Sequence, residues 1–283
     1  MTNLTTVILT VLVLALPTFA IESVLCNKQQ IDQHSFSNSP QIRYTNEFSI
    51  ITWNAHKLND ENFIPDLIRL GQYSDLILIQ ESIHSASLQK TFSEKLDFHF
   101  SFNKSFCITD EQATGVMNMS RYPLENNLTL VSPGTEPFTF TPKVSGYSAI
   151  TVPEIGTIHI INTHGLNFNF GSKFKEQIDQ ITEFIAQLRG PVIWAGDFNT
   201  WSDNRKKYLD NRNKALGMTQ LIPTNDSRAL KLDHIYVRGL SAVSIEVLNN
   251  INSSDHYPLR AVFKKIDANR IMDSYSWIPL LPN

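Results

Sequence analysis

Seven short runs rich in isoleucine, valine and aromatic residues punctuate the chain. Each run is bounded by Gly, Pro, Asn or Asp, a pattern that predicts a β-strand. The runs are FSIITWN, DLILIQE, GYSAITV, GTIHIINTH, PVIWAGDFN, LDHIYVRG and YPLRAVF. Several are apolar at neighbouring positions, as expected for strands whose sheet is covered on both faces. The fold must therefore supply a layer on each side of its sheets.

Helical patterns lie between these strands. Apolar residues recur at helical spacing from Phe174 to Leu188, and a Gly-Pro pair ends that pattern. A shorter stripe of the same kind contains Leu88, Phe92 and Leu96. Both stripes are predicted to face the core.

Strands with helices outside them predict an α+β fold, namely a four-layer α/β/β/α sandwich of two packed mixed β-sheets flanked by helices. A doubly wound sheet is the alternative, and it would need strands and helices to alternate regularly. Residues 144–164 and 230–263 instead read as strand followed by strand. The sandwich is therefore the preferred prediction.

The N-terminal segment TTVILTVLVLALPTFA is apolar and uncharged, and small residues precede a possible cleavage site after Ala20. It predicts a signal peptide and a secreted or periplasmic protein with no stable membrane span after cleavage. If the segment is not cleaved, it would anchor the protein in a membrane, and a buried N-terminal helix is a further alternative. The predicted divisions are a signal peptide at 1–20, a polar linker at 21–46, one domain at 47–266 and a C-terminal tail at 267–283.

Composition narrows the possible partners. The chain has 283 residues, of which 42% are hydrophobic, enough for one large domain, and we expect a monomer. The net charge of −3 gives no sign of a basic surface. This weakens the case for a polyanionic substrate without excluding one. Cys26 and Cys107 are the only cysteines, and their spacing leaves open whether they pair.

Polar side chains follow the apolar runs where these end. Four runs deliver Asn54, Glu81, His164 and the Asp197–Asn199 segment in this way. Asp233 begins another run, and Asp255 and His256 stand together before the last one. Any one of these residues alone would suit a turn. Together they form an oxygen-rich set without cysteine, which suits Mg²⁺ or Mn²⁺ with a phosphate better than a thiolate zinc site.

The motifs TWN, LIQE, NTH, AGDFN, LDHI and SDHYP, in this order, resemble the endonuclease/exonuclease/phosphatase superfamily, DNase I-like proteins that include abasic-site endonucleases, neutral sphingomyelinases and inositol-polyphosphate 5-phosphatases. The resemblance spans Phe48 to Phe263. The segments TGVMNMS, NTHGLNFNFG, GPVIWAGDFNTWS and YVRGL are most similar to the bacterial YafD-like branch.

The resemblance implies hydrolysis of a phosphate ester by in-line attack of an activated water, with Mg²⁺ or Mn²⁺ as the cofactor. Glu81 would be the principal metal ligand, with Asn54 and Asp255 as further metal contacts. Asn54 would also bind the substrate phosphate, together with Asn199 and His256.

The catalytic roles carried over are as follows. Asp197 would orient or deprotonate the water, and Asn199 would bind a phosphate oxygen in the transition state. His256 would act as general base or bind the phosphoryl oxygen, while Asp233 fixes its tautomer. His164 would protonate or stabilise the leaving oxygen.

The sequence also departs from relatives within the superfamily. The glutamate that supports the second histidine in DNase-like enzymes is not evident, and Asp110 and Glu111 are candidates by position alone. The inositol 5-phosphatase signature is missing, and NTH stands where abasic-site enzymes use a tyrosine.

The expected activity is that of a phosphodiesterase, with a nuclease favoured over a sphingomyelinase-like phospholipid enzyme. A catalytically silent binding protein on the same fold is the alternative from another class. Lys57 either contacts the substrate phosphate or belongs to a solvated loop. The solvated loop is favoured because most lysines in proteins are exposed to solvent. Trp53, Trp194 and Trp201 are expected to serve packing.

Overall fold

The computed structural model describes residues 40–43, 45–168 and 172–265. The predicted signal peptide, residues 21–39 of the predicted linker, Cys26 and the predicted C-terminal tail lie outside these ranges. Within the described ranges, no helix is long and apolar enough to cross a membrane.

Two pairs of α-helices flank the strands. Helices α1 and α2 follow the first and second strands, at Phe63–Gly71 and Ala86–Lys95. Helices α3 and α4 follow later strands, at Lys173–Gln187 and Asp203–Ala215. A short 3-10 helix, His56–Leu58, comes directly after the first strand.

Across the part of the chain that the structure describes, the strands form two sheets of six. Sheet A has the order β11-β12-β1-β2-β4-β3, and sheet B has the order β5-β6-β7-β8-β10-β9. The strands of sheet A are β1 (Glu47–Asn54), β2 (Leu76–His84), β3 (His99–Thr109), β4 (Gln112–Ser120), β11 (Ala242–Val247) and β12 (Leu259–Lys264). The strands of sheet B are β5 (Glu125–Thr135), β6 (Pro142–Val152), β7 (Gly156–His164), β8 (Val192–Asp197), β9 (Thr219–Leu221) and β10 (Asp233–Arg238).

Both sheets are mixed. In sheet A, β1 runs parallel to β2 and antiparallel to β12, the last strand of the described residues. In sheet B, β7 runs parallel to β8, whereas β6 and β10 run antiparallel to their neighbours in that pair. The first strand therefore needs both an early and a late part of the chain to complete its pairing.

The main apolar core lies between the two sheets. Phe48 and Ile50 of β1 pack there with Ile158 and Ile160 of β7, and all four are fully buried. These residues alternate along their strands, so each strand turns its intervening residues to the opposite face.

The opposite faces carry helices. Beneath sheet A, Trp53 stacks on Phe63 of α1 with ring centroids 4.2 Å apart. Outside sheet B, Trp194 shares a buried cluster with Ile178 and Ile181 of α3. The four-layer α/β/β/α prediction is thus confirmed, and the doubly wound alternative is wrong because two sheets pack face to face.

Candidate active site

The two parallel strand pairs bring the predicted polar residues to one edge of the sandwich. Asn54 ends β1 and Glu81 lies near the end of β2, while His164 and Asp197 end β7 and β8 and are register partners. Asn54 Nδ2 donates a hydrogen bond of 2.9 Å to Asp197 Oδ2. Since Asn54 belongs to sheet A and Asp197 to sheet B, this bond joins the two halves of the site.

Glu81 sits at an irregularity in β2. Its φ is +49°, in the left-handed region, and the pairing of β2 with β4 shifts between Ile79 and Ser82. Such a backbone conformation costs a non-glycine residue about 1–2 kcal/mol and is often found at functional sites. The surrounding strands hold Glu81 in this conformation, which points to a role beyond the sheet.

Three basic groups surround the Glu81 carboxylate. Lys57 Nζ lies 3.3 Å from Oε2, while His164 Nε2 and Lys143 Nζ lie 3.6 and 3.9 Å from Oε1. Burial acts to raise the pKa of Glu81, but these neighbouring basic groups outweigh it and lower the pKa below its ordinary value. Glu81 is therefore an anionic oxygen donor at neutral pH.

Asp197 is positioned by its own turn. Its Oδ1 accepts a 2.9 Å hydrogen bond from the backbone N–H of Asn199, whose φ is +52°. Asn199 Nδ2 in turn donates to the Gly165 carbonyl at 2.9 Å. Burial, followed by the nearby Asp233 carboxylate, raises the pKa of Asp197. The turn thus fixes a carboxylate that is held by hydrogen bonds yet easier to protonate than an ordinary aspartate.

Gly196 lets β8 approach β7 closely at this point. Its φ is +143°, and a Cβ placed there would lie 2.0 Å from the Thr163 carbonyl oxygen. A glycine is therefore required directly before Asp197, which explains the Gly-Asp order in the motif AGDFN.

His256 and Asp233 form a hydrogen-bonded pair. His256 Nδ1 lies 2.9 Å from Asp233 Oδ2, and Asp233 is the register partner of Asp197 across β8 and β10. Burial would lower the pKa of His256, but Asp233 outweighs it and the pKa rises to about 10. His256 is therefore an imidazolium at neutral pH. Donor atoms of Asp197, Asp233 and His256 all lie within 4.8 Å of one another.

The loop that carries His256 is tied to β1. Trp53 Nε1 donates to the His256 carbonyl at 2.8 Å, and Ser254 Oγ donates to the Asn54 carbonyl at 2.6 Å. These bonds explain how a segment about two hundred residues away along the chain returns to the end of the first strand.

Asp255 takes a different direction from its neighbour His256. Its side chain is 55% exposed, and its Oδ1 lies 3.7 Å from His56 Nδ1. The structure thus places Asp255 at the rim of the site beside the 3-10 helix. Its role as a metal contact stays a prediction.

Lys143 is a site residue that the sequence did not indicate. It lies at the start of β6, only 14% of its side chain is exposed, and Nζ is 3.2 Å from His164 Nε2. Burial lowers its pKa, while Glu81 opposes that shift. Lys143 stands before the predicted run GYSAITV, so only the pairing of β6 with β7 reveals its position.

Lys57 also reaches the site, through its contact with Glu81, although 42% of its side chain is exposed. The carboxylates that face His164 Nε2 are Glu81, at 3.6 Å, and Asp197, at 3.7 Å. The positional candidates Asp110 and Glu111 instead lie exposed in the turn between β3 and β4. The structure thus brings Glu81 and Asp197, and neither Asp110 nor Glu111, close to His164.

The donor chemistry fits a hard divalent cation. Glu81 offers an ionised carboxylate whose charge is balanced by lysines. At the same edge, Asn54 offers an amide oxygen, which also accepts a 2.9 Å hydrogen bond from the His56 backbone N–H. A second acidic group, Asp197 with Asp233, is close by but is largely occupied by hydrogen bonds to Asn54, Asn199 and His256. Carboxylate and amide oxygens are the ligands that Mg²⁺ prefers.

A cleft of about 230 Å³ opens from one side of the site. Its inner end is formed by Glu81, Lys143 and His164, and its outer end by Phe138 and Phe168. We call it the phenylalanine cleft. It lies on the side of His164, away from His256, so it extends the site in one direction only.

Comparison with known proteins agrees with the geometry. A UPF0294 protein of Vibrio cholerae serotype O1 is 27% identical over 227 residues, covering 78% of this chain and 79% of that protein. The endonuclease/exonuclease/phosphatase of Beutenbergia cavernae has a TM-score of 0.64 at 15% identity, covering 77% of this chain and 71% of that one. TDP2 of D. rerio, solved with a single-strand DNA product, has a TM-score of 0.55 at 15% identity, covering 77% and 99%.

The sequence profile of the Endonuclease/Exonuclease/phosphatase family matches residues 51–256, which is more than half of the chain. That range begins within β1 and ends at His256, before β12, and it contains every predicted site residue. The profile shows the family, and the shared fold agrees with it: the chain belongs to the Endonuclease/Exonuclease/phosphatase family.

Proposed function

We propose that this protein is a metal-dependent phosphodiesterase, with nucleic acid favoured over phospholipid as its substrate. The observation that carries the proposal is the joining of Asn54 and Asp197 across the two sheets, beside the Asp233–His256 pair. Family membership supports a hydrolase of phosphate esters, and the single-strand DNA bound to D. rerio TDP2 supports the choice of nucleic acid.

Glu81, Asn54 and Asp255 are the residues that would hold Mg²⁺ or Mn²⁺. When bound, the ion would offset the negative charge of the substrate phosphate. Lys57 and Lys143 now balance the charge of Glu81, so both lysines have to adjust when a cation arrives. The phosphate they would meet is itself anionic, which lets them exchange one anionic partner for another.

Asp197, Asn199 and His256 would act on the attacking side. Asp197 accepts a proton from the water as the new oxygen–phosphorus bond forms, and its raised pKa suits that task. Asn199 Nδ2 would turn from Gly165 toward a phosphate oxygen. The His256 imidazolium, held by Asp233, would donate a hydrogen bond to the phosphoryl oxygen, so the binding role fits its charge better than the role of base.

His164 and Lys143 would act on the leaving side. Burial, with Lys143 next, keeps the pKa of His164 well below its ordinary value, so the imidazole is neutral. Lys143 Nζ donates to His164 Nε2, and the pair would present one positive charge to the departing oxygen. The phosphorus–oxygen bond to the leaving group would break as that oxygen takes the proton that the Lys143–His164 pair shares.

The wider setting belongs to the same proposal. We infer that residues 47–266 form a single catalytic domain and that the protein acts as a monomer. We also infer that the N-terminal segment directs its export and that it belongs to the YafD-like branch. The apolar segment and its small-residue end support export.

The proposal is tested with single-stranded DNA, RNA, a phosphosugar diester and sphingomyelin, each with Mg²⁺ or Mn²⁺. We expect turnover of a nucleic acid, its loss in EDTA and its recovery with added metal. Glu81→Gln should remove activity, while Glu111→Gln, in an exposed turn, is the matched control.

Turnover in excess EDTA would disprove the metal requirement. Preferred hydrolysis of sphingomyelin would shift the substrate to phospholipid. If the protein binds one of these substrates but hydrolyses none of them, the result would support a catalytically silent binding protein instead.

A further inference from the structure

Two exposed phenylalanines stand beside the site. Phe138 lies between β5 and β6 and Phe168 follows β7, with 75% and 53% of their surfaces exposed. Their ring centroids are 6.3 Å apart in an edge-to-face arrangement of 69°. Large apolar side chains exposed together in this way are typical of surfaces that bind a ligand or partner.

The loops that carry the two rings are fastened to each other. Glu136 is buried, and its two carboxylate oxygens accept hydrogen bonds from the backbone N–H groups of Asn167, at 2.7 Å, and Phe168, at 3.0 Å. Trp201 Nε1 also donates to the Asn167 carbonyl, at 3.0 Å. A buried carboxylate thus fixes the position of Phe168 relative to the loop of Phe138, so the ring pair is built into the fold.

The phenylalanine cleft changes character along its length. At its inner end stand the Glu81 and Lys143 side chains, and at its outer end the two exposed rings. Thr114, Thr139 and Thr141 also belong to its lining, and the hydroxyls of Thr139 and Thr141 are hydrogen-bonded to each other at 2.8 Å. The cleft therefore suits a molecule with a phosphate at one end and a flat group with polar edges at the other.

On the basis of the proposed phosphodiesterase function, we infer that the phenylalanine cleft binds one nucleobase of a single-stranded nucleic acid. An aromatic ring stacks on any base, and the threonine hydroxyls can meet its polar edges. An acyl chain would gain nothing from those hydroxyls. A base within a duplex is already stacked on both faces, so a single strand is the form that fits.

The position of the cleft also selects which base it binds. It joins the site at His164 and Lys143, the proposed leaving side, and not at His256. The stacked nucleoside is therefore the one that carries the departing oxygen. Phe138 and Phe168 act as specificity-determining residues for that nucleoside.

The test uses a tetranucleotide whose outer linkages are methylphosphonates, so that only the central phosphodiester is cleaved. Two further versions replace the base on one or the other side of that linkage by an abasic tetrahydrofuran, and mass spectrometry identifies the side that keeps the phosphate. We expect Phe138→Ala and Phe168→Ala each to lower kcat/KM on the complete substrate by about tenfold to a hundredfold, the scale of a lost base–aromatic stack.

The abasic versions separate the explanations. With the leaving-side base removed, both variants should match the wild type, whereas removal of the other base should leave the full defect. Phe140→Ala is the matched control, because Phe140 is an exposed phenylalanine of the same loop outside the cleft lining. It should cleave all three substrates like the wild type.

Equal losses in all three variants, or losses that persist without the leaving-side base, would overturn the nucleobase site while leaving the phosphodiesterase function intact. Defects confined to sphingomyelin vesicles would assign the rings to a lipid surface instead. If the wild type cleaves no phosphodiester at all, both the proposed function and this inference are wrong.

Discussion

Asp197, Asp233 and His256 place two buried carboxylates and one partly buried imidazole within a few ångströms of one another. Two adjacent buried carboxylates repel each other, and the positive charge on His256 compensates for part of that repulsion. Asp233 holds the Nδ1 side of the ring, which leaves Nε2 for the substrate. The three residues therefore depend on one another for their charge states.

His256 and Asp233 should behave as one unit. His256→Ala and Asp233→Ala should each lower kcat by about a hundredfold or more, and the double variant should be scarcely worse than the poorer single variant. Single-turnover rates measured together with Tm give the answer. Additive rate losses, or a loss of activity that merely follows a loss of Tm, would contradict the assignment.

The same pair predicts how stability changes with pH. The folded-state pKa of His256, about 10, lies above its ordinary value of 6.5. The ion pair therefore contributes its full stability below pH 6.5 and loses it as the pH rises through about 10. The difference in unfolding free energy between wild type and His256→Ala, measured in urea from pH 6 to 10, should shrink steadily. A constant difference would show that the imidazolium is not stabilised.

Lys143 should be required for catalysis. Lys143→Met keeps most of the buried stem but removes the charge beside His164, and we expect kcat to fall by about a hundredfold, as for other lost transition-state contacts. Lys143→Arg should recover part of the activity because it restores the charge. Lys90→Met, on the exposed surface of α2, is the control. A Lys143→Met enzyme with normal kcat would remove Lys143 from the mechanism.

Single residues were predictable wherever a strong strand ends in a polar group. Asn54, Glu81, His164 and Asp197 all follow this rule. Lys143 does not, because it precedes its strand and reaches the site only through the lateral pairing of β6 with β7. The place of Asp255 at the rim, and the identity of the carboxylates near His164, depend on the direction in which side chains point. The order of residues in the sequence does not contain that information.

At the scale of elements, the strands that were predicted are those with apolar runs. Strands β3, β4, β5, β9 and β11 escaped prediction, and polar residues interrupt the first three of them. Asn118 of β4 is buried and donates to Ser148 Oγ at 3.0 Å, and Asn103 of β3 accepts from Thr129 Oγ1 at 2.7 Å. Such buried polar contacts between sheets satisfy side chains that a sequence pattern would assign to solvent.

The end of β8 should be intolerant of a side chain at Gly196. Gly196→Ala would place its Cβ against the Thr163 carbonyl and force a residue into an unfavourable backbone region. We expect Tm to fall by several degrees, which corresponds to a loss of about 2 kcal/mol in the free energy of unfolding. Activity should fall by more than this loss of stability explains, because the substitution also moves Asp197. Gly156→Ala is the control, since it also has positive φ but open space around it. Equal effects of the two substitutions would show that backbone strain alone matters.

At the scale of the whole molecule, the sandwich assembles one site from both sheets. Sheet A supplies Asn54 and Glu81, and sheet B supplies His164, Asp197 and Asp233. The sequence predicted this architecture because strand followed strand in two stretches. It could not predict the strand order, since nothing local shows that β12 lies beside β1.

Export should yield a shortened chain. If the N-terminal segment is a signal peptide, the mature protein begins near Ile21, directly after the small residue at position 20. N-terminal sequencing and mass spectrometry of protein from the medium or periplasm should find this start. A protein that stays in the cytosol with Met1 intact would show that the segment has another role.

The pairing of β1 with β12 also has a consequence for how the protein is made. Glu47 lies opposite Lys264, so β1 finds one of its two neighbours only after all the other described strands have been synthesised. Until then β1 keeps an open hydrogen-bonding edge that other chains can occupy. A chaperone that shields this edge during synthesis should therefore raise the yield of soluble protein, and ribosome-bound chains that stop before β12 should be the ones that aggregate.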